Sequence, residues 1–171
     1  MKAIHSFEQL FLVMLCDIYS VEQQVVTLLP TLVKKAQSKE LKEVLKDHLQ
    51  ETKLQVTRLE KIFAKLGEVP TATTWIHNVR SLVEKSEKFF MEQTASPVTD
   101  AAIIVCIQRI KHDEISAYGS LKEFANVLDY EDIKDFLKET LKEECVADEK
   151  LTKIATGGLF KSGVNVLAIK R

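Results

Sequence analysis

Residues that interrupt regular structure are scarce in this sequence. Only five glycines and three prolines occur in 171 residues, so turns must be few and the secondary-structure elements long. No uninterrupted apolar run approaches the roughly 20 residues that cross a bilayer, so we expect no membrane segment. Neither sign of charge dominates: 24 Lys and Arg stand against 25 Asp and Glu, a balance that argues against nucleic-acid binding or a polybasic membrane anchor.

Cysteine is also rare. Cys16, Cys106 and Cys145 show no CxxC spacing, which excludes the usual zinc and thioredoxin-like motifs. An odd number of cysteines on helical positions predicts buried free thiols in a reducing compartment, and the expected location is the cytoplasm.

Helical periodicity is what the sequence does contain. Four long stretches repeat apolar residues at the spacing of an amphipathic helix, and no convincing alternating strand is present. They run from about Ser6 to about Ala36, from the end of "QSKE" to just before Gly67, from the end of "SPVTD" to near Leu128, and from the end of "DYED" to Gly157. Ser6 and Ser38 are the predicted N-caps, with Gln9 at the capping-box position of the first helix.

The connections between these helices predict their arrangement. Helices one and two are joined by few residues, as are three and four, so each pair should form an antiparallel hairpin. About thirty residues join the hairpins, too many for a bare loop, and "WIHNVRSLVEKSEKFFMEQ" within them predicts a fifth, shorter helix. The predicted fold is all-α: a ferritin-like four-helix bundle with one long crossover over residues 1–156, and a C-terminal tail over residues 157–171. The tail could pack on the bundle, pack on a partner or be mobile.

Carboxylates interrupt the apolar seams of these helices. A projection at about 100° per residue puts Glu22, Glu114 and Glu144 at the seam centres of helices one, three and four. Asp148 follows Glu144 by one turn and still points inward. The polar residues on the inner face of helix two are His48, Thr52 and Gln55, with Glu51 on the flank beside His48.

These side chains predict a polar layer across the bundle, because the midpoints of antiparallel helices lie at one level. Several ionised carboxylates in an apolar core are very costly unless a cation neutralises them. Carboxylates with an imidazole suit iron or manganese, and bundle cores hold such metal pairs. The predicted cofactor is two iron or manganese ions, and the predicted ligands are Glu22, His48, Glu51, Glu114, Glu144 and Asp148.

A simpler reading exists for each of these residues taken singly. A Glu on a seam is more often snorkelling or bonded to a Tyr or Lys, and a lone inward His is commonly a satisfied core residue. Three Glu at three seam centres are harder to explain separately. His5 and His77 lie away from the layer and His112 projects outward, so none of the three receives a role.

Four segments, "LCDIYSVEQQ", "DHLQETKLQVTRLEKIF", "HDEISAYGSL" and "LKETLKEECVADEKL", resemble in order and spacing the YciE/YciF family of ferritin-like bacterial proteins. The resemblance covers about residues 5–156. It implies a ferritin-like bundle, dimeric and linked to stress responses, with a dinuclear iron site that would include the six predicted ligands. The family's biochemical activity is not implied by it.

One residue departs from the family's pattern. Relatives usually have a Glu three residues before Glu114, where this chain has Lys111. Its ammonium could supply the counter-charge that a metal would otherwise provide.

Two functions therefore stay open. One is a dinuclear metal protein that reacts with oxygen or peroxide, with Tyr19 and Tyr118 as redox neighbours or as packed phenols with one hydrogen bond each. The alternative is a metal-free structural or interaction bundle, in which Lys111 and His48 neutralise the acids and the outer faces form a homodimer. An enzyme acting on an organic substrate is a weaker third, since no nucleophile–base pair and no glycine-rich phosphate loop is present.

Overall fold

The computed structural model describes residues 3–71, 78–158 and 161–169, with the side chains of residues 78–80 left aside. Helices make up nearly all of these residues. In chain order the elements are α1 (Phe7–Lys35), α2 (Lys39–Leu66), α3 (Asn78–Glu92), α4 (Pro97–Val127), α5 (Glu131–Thr156), β1 (Gly157–Gly158), β2 (Lys161–Ser162) and α6 (Val164–Ile169).

The ends of α1 and α2 follow the predicted capping residues. The hydroxyl oxygens of Ser6 and Ser38 each accept a hydrogen bond from the amide three residues on, at 3.2 and 3.3 Å. The Gln9 side chain accepts from the amide of His5 rather than from that of Ser6 itself. Gly67 ends α2 with a φ of 69°, a left-handed conformation that glycine adopts without steric cost.

The predicted starts of the second, third and fourth long helices are each a few residues late, since α2 already begins at Lys39, inside "QSKE". Helix α4 begins at Pro97, inside "SPVTD", because Ser96 caps it and proline suits the first helical position. Helix α5 begins at Glu131, inside "DYED", where acidic residues in the first turn favour the helix dipole. Asp129, with a φ of 58°, supplies the left-handed turn between the two helices.

The helices pack as two antiparallel hairpins, α1 with α2 and α4 with α5. Further contacts between α1 and α4 and between α2 and α5 close the bundle, and α3 in the crossover packs mainly on α1. The predicted all-α bundle with a fifth helix in its crossover is confirmed. The tail packs on the bundle: α6 lies against α4 and α5, and its Val164 is buried.

A buried carboxylate ties the two hairpins together. Asp100, in the first turn of α4, accepts hydrogen bonds from the amides of Gln37 and Ser38 at 2.6 and 2.8 Å. These amides belong to the short turn between α1 and α2, and they would otherwise lack a helical acceptor. Asp100 therefore fixes the level of one hairpin against the other.

Helix α1 is long and apolar enough to cross a membrane by length and composition alone. The core helix of a bundle passes the same test. Its Phe11, Leu15 and Leu29 are fully buried in the common core, and α2, α3 and α4 all pack on it.

The prediction of buried thiols holds for two cysteines of three. Cys16 and Cys106 are buried, whereas Cys145 is exposed. One residue corresponds to a rotation of about 100°, so the position after the inward Glu144 already leaves the seam.

Candidate functional site

The polar layer lies in the middle of the bundle and contains three buried carboxyl groups. Glu22 on α1, Glu114 on α4 and Glu144 on α5 are at most 1% exposed. Each occupies the seam centre that its helical spacing predicts, with apolar residues one and two turns away on the same face.

A lysine lies between these acids. Lys111 is fully buried, and its Nζ donates a hydrogen bond to Glu114 Oε2 at 2.9 Å and another to Glu144 Oε2. Burial alone would lower the pKa of this ammonium, but the charges of Glu114 and Glu144 outweigh it and raise the pKa above its ordinary value. Lys111 is therefore charged and belongs to the centre of the layer.

Glu22 is held by a tyrosine one turn beyond Glu114. The Tyr118 hydroxyl donates to Glu22 Oε1 at 2.6 Å, inside the core. Burial, reinforced by the charge of Glu144, raises the pKa of Glu22 to about 8, although Lys111 and the tyrosine hydrogen bond oppose the shift. At neutral pH this carboxyl is mainly protonated.

The polar layer is close to electrically neutral when only a few of its groups are ionised. Burial also raises the pKa of Glu114 well above its ordinary value, against the attraction of Lys111. With one ammonium among three carboxyls, the layer is nearest to neutral when a single carboxylate is ionised. Such a state avoids the large cost of several bare charges in a dry core.

His48, on α2, contributes no positive charge. Burial, and secondarily the charge of Lys111, lowers the pKa of its imidazole well below the ordinary value, so the ring is neutral. The prediction that His48 helps Lys111 to neutralise the acids is therefore wrong. Its Nδ1 lies 3.4 Å from the Thr52 hydroxyl, which itself donates to the His48 carbonyl at 2.9 Å.

A second row of polar side chains supports Glu144. Gln55 Nε2 donates to Glu144 Oε1 at 2.7 Å and to Glu143 Oε2 at 3.0 Å. Arg58, one turn along α2, binds both oxygens of Glu143 at 2.9 and 3.0 Å. The helical projection puts Gln55 on the inner face of α2 but gives it no role. Gln55 is the next inward position after Thr52, three residues on, and this placement indicates that its side chain reaches the layer.

Two predicted ligands lie at the edge of the layer or beyond it. Glu51 is half-buried, and burial raises its pKa. Asp148 does not join the layer: its carboxylate accepts from Gln108 at 3.2 Å and lies 3.4 Å from Nε2 of the exposed His112. The interhelical partners of Asp148 draw it toward the α4–α5 surface.

The other singled-out residues lie elsewhere. The Tyr19 hydroxyl donates to Glu60 at 3.2 Å, in an exposed position. His5 is exposed, and His77 lies outside the described residues.

The fit of these side chains to a metal pair is poor. Among the described residues, no group of three or more His, Cys, Asp or Glu has the geometry of a metal site. One oxygen of Glu114 and one of Glu144 accept hydrogen bonds from the Lys111 ammonium. The ammonium therefore occupies the place that a cation bridging these two carboxylates would need. Within the described part of the chain, four atoms of the layer have no hydrogen-bond partner: Glu22 Oε2, His48 Nε2, Gln55 Oε1 and Glu114 Oε1.

Two antiparallel helical hairpins, a helical crossover and buried carboxyl groups on three of the long helices define a ferritin-like bundle protein. The chain belongs to the family of the domain of unknown function DUF892, whose profile matches residues 6–162. It is 30% identical to the protein YciF of Escherichia coli K12 over 160 residues, which are 94% of this chain and 96% of that protein. The resemblance read from the sequence is thereby confirmed.

Solved structures agree with this assignment. The chain is 36% identical to YcfI, a proposed structural protein of Rhodopseudomonas palustris, with a TM-score of 0.83 over 90% of this chain and 98% of that one. It is 30% identical to the E. coli stress protein YciF in its crystal structure, with a TM-score of 0.81 over 88% and 94% of the two chains. A protein of Xanthomonas campestris, 16% identical with a TM-score of 0.69 over 86% and 89% of the two chains, shares the fold alone.

Proposed function

We propose that this chain is a stress-associated structural bundle whose central acids are neutralised from within by Lys111, and that it acts through its outer surface. The observation that carries the proposal is the pair of bonds from the buried Lys111 ammonium to Glu114 and Glu144. The stress and structural roles are supported by the descriptions of the two relatives, YciF and YcfI.

Lysine and a metal pair are competing solutions to one electrostatic problem. Both supply positive charge to carboxyl groups that the core cannot otherwise hold. For a metal to bridge Glu114 and Glu144, the Lys111 side chain would have to leave a position in which it is fully buried. Its four-carbon stem would then expose new apolar surface or overpack the core, and this opposes metal entry.

A dinuclear iron or manganese protein is the second candidate, and one observation favours it. Glu22, His48 and Glu114 each keep one buried polar atom without a hydrogen-bond partner among the described residues, and such atoms are natural ligands. Together with Glu144 they would hold the metal, with Glu51 and Asp148 only at its periphery. The ions would supply reactivity toward oxygen or peroxide.

Elemental analysis of chelator-free protein, followed by anaerobic titration with Fe(II) and Mn(II), separates the two candidates. We expect no stoichiometric uptake by the native chain and the same free energy of unfolding with metal or with chelator. About two metals per chain, lost in Glu114→Ala but kept in the exposed control Glu149→Ala, would instead establish the dinuclear centre.

A homodimeric state and a cytoplasmic location are further parts of the proposal. Sedimentation velocity at several concentrations tests the first, and fractionation of the native cells tests the second. The same cell extracts, taken with and without osmotic or oxidative stress, would show whether the protein becomes more abundant under stress. Constant abundance would contradict the stress association.

A further inference from the structure

A second feature, which shares no lining residue with the polar layer, is an apolar groove between α3 and α4. It has a volume of about 480 Å³, within the range of about 300–1,000 Å³ typical of small-molecule sites. Most of its lining is hydrophobic: Leu82, Phe89, Phe90, Ala101, Ala102 and Val105.

The groove is open to solvent along one side. Phe89 on α3 and Val105 on α4 both line it and are 50% and 58% exposed. Phe90 forms an edge-to-face pair with Phe89 at 5.1 Å and is itself buried. Helix α3 thus leans on α1 and leaves its other apolar edge uncovered by the described residues.

The floor of the groove offers a ligand few hydrogen bonds. Its two polar side chains bind one another, since the buried Cys106 thiol donates to the Ser86 hydroxyl at 3.1 Å, and the Ser86 O–H is the one hydroxyl donor among the lining residues. A ligand that lies on this floor must therefore be apolar along its body, since a polar group placed there would lose its water without gaining a partner.

Both charged residues that line the groove are cations. Lys85 projects from α3 and Arg109 from α4, and both are exposed. Neither forms an ion pair with any carboxylate of the described residues. An arginine and a lysine that pair with no carboxylate of the described residues, beside an apolar trough, make a site for an anion attached to a hydrophobic chain.

We propose that this groove binds a monomeric fatty acid. The acyl chain lies along the apolar walls, and the carboxylate pairs with Lys85 and Arg109 at the rim. Because the walls are mostly apolar, affinity should rise with chain length, by at most about fourfold for each added CH₂ group. The two cations confer the preference for a carboxylate head group.

Isothermal titration calorimetry with dodecanoate below its micellar concentration tests the proposal on the full chain. We expect binding of dodecanoate, weaker binding of dodecanol and none of dodecyltrimethylammonium. The double substitution Lys85→Gln with Arg109→Gln should weaken dodecanoate binding about three- to thirtyfold, the sum of two surface ion pairs. Lys88→Gln, an exposed position of α3 outside the groove, is the matched control and should leave binding unchanged.

The apolar wall has its own test. Val105→Asn should weaken binding of dodecanoate and of dodecanol alike, whereas Val127→Asn, at a 68% exposed position of α4 outside the groove, should not. Equal binding of the cationic amphiphile, or no effect of the double substitution, would overturn the proposal. So would binding confined to anionic lipid vesicles. A ligand-free dimer that Val105→Asn dissociates would show that the groove is an interface between copies of the chain.

Discussion

Replacing Lys111 by methionine removes the ammonium from the charged layer while keeping an unbranched side chain of similar length. The substitution leaves Glu114 and Glu144 facing each other in a core from which water is excluded. If Lys111 neutralises these acids, the folded state must then either hold an uncompensated charge or take up another proton. Both outcomes lower the free energy of unfolding.

The size of this loss follows from the burial of all three groups. Breaking a buried ion pair by removing one partner costs about 3–5 kcal/mol, a large share of the about 5–15 kcal/mol that stabilises an ordinary domain. At about 2–4 °C per kcal/mol for a chain of this length, the melting temperature should fall by about 6–20 °C. Adding Glu144→Gln to Lys111→Met should recover part of the loss, with a coupling energy of about 0.5–3 kcal/mol.

Urea unfolding at pH 7 in chelator-treated buffer, followed by far-UV circular dichroism, measures these differences. Lys122→Met is the matched control, since Lys122 lies on the same helix but pairs with Glu123 at the surface; its cost should be within about 1 kcal/mol. A Lys111→Met protein as stable as the native chain would refute the reasoning, because the acids would then need no internal cation.

Further predictions concern the rest of the layer and the turn between hairpins. Because the pKa of Glu22 is raised to about 8 in the folded state, the stability that this group contributes is complete below pH 4.5 and is lost as pH rises through about 8. The free energy of unfolding of the native chain, measured by urea titration, should therefore decline by up to about 5 kcal/mol between pH 5 and 9, and Glu22→Gln should flatten this decline. An unchanged slope in the variant would contradict the raised pKa of Glu22. Tyr118→Phe keeps the ring but removes the bond to Glu22, and should cost about 1–3 kcal/mol at pH 6; no loss in urea unfolding would show that the bond is not stabilising. Asp100→Ala should lower the free energy of unfolding by about 1–3 kcal/mol, because it leaves the Gln37 and Ser38 amides unpaired, and Asp100→Asn should lower it less. Equal urea midpoints for the native chain and both variants would show that Asp100 does not stabilise the contact between the hairpins.

The fold could be predicted from the sequence because its determinants are local. Long amphipathic stretches, serine N-caps and the lengths of the connections specify two hairpins and a crossover. The starts of α4 and α5 were missed because "SPVTD" and "DYED" serve both as turn and as first helical turn. The tail could not be predicted, since the packing of its short helix on α4 and α5 depends on contacts distant in sequence.

The charged layer was partly predictable for the same reason. A helical projection finds which residues point inward, such as Glu22, Glu114 and Glu144. It does not predict which partner a side chain contacts when several lie within reach. Asp148 turns toward Gln108 and His112, both on the neighbouring helix. The charge state of His48 depends equally on its surroundings, because burial next to Lys111 keeps its imidazole neutral.

If Lys111 is the resident cation of the polar layer, a metal ion should not bind among the same carboxylates. A crystal structure of protein incubated anaerobically with excess Fe(II) or Mn(II), with data collected at the metal's absorption edge, tests it most directly. We expect no anomalous peak inside the bundle and a Lys111 Nζ within hydrogen-bond distance of Glu114 and Glu144. One or two anomalous peaks among Glu22, Glu114 and Glu144, with the lysine displaced, would contradict it.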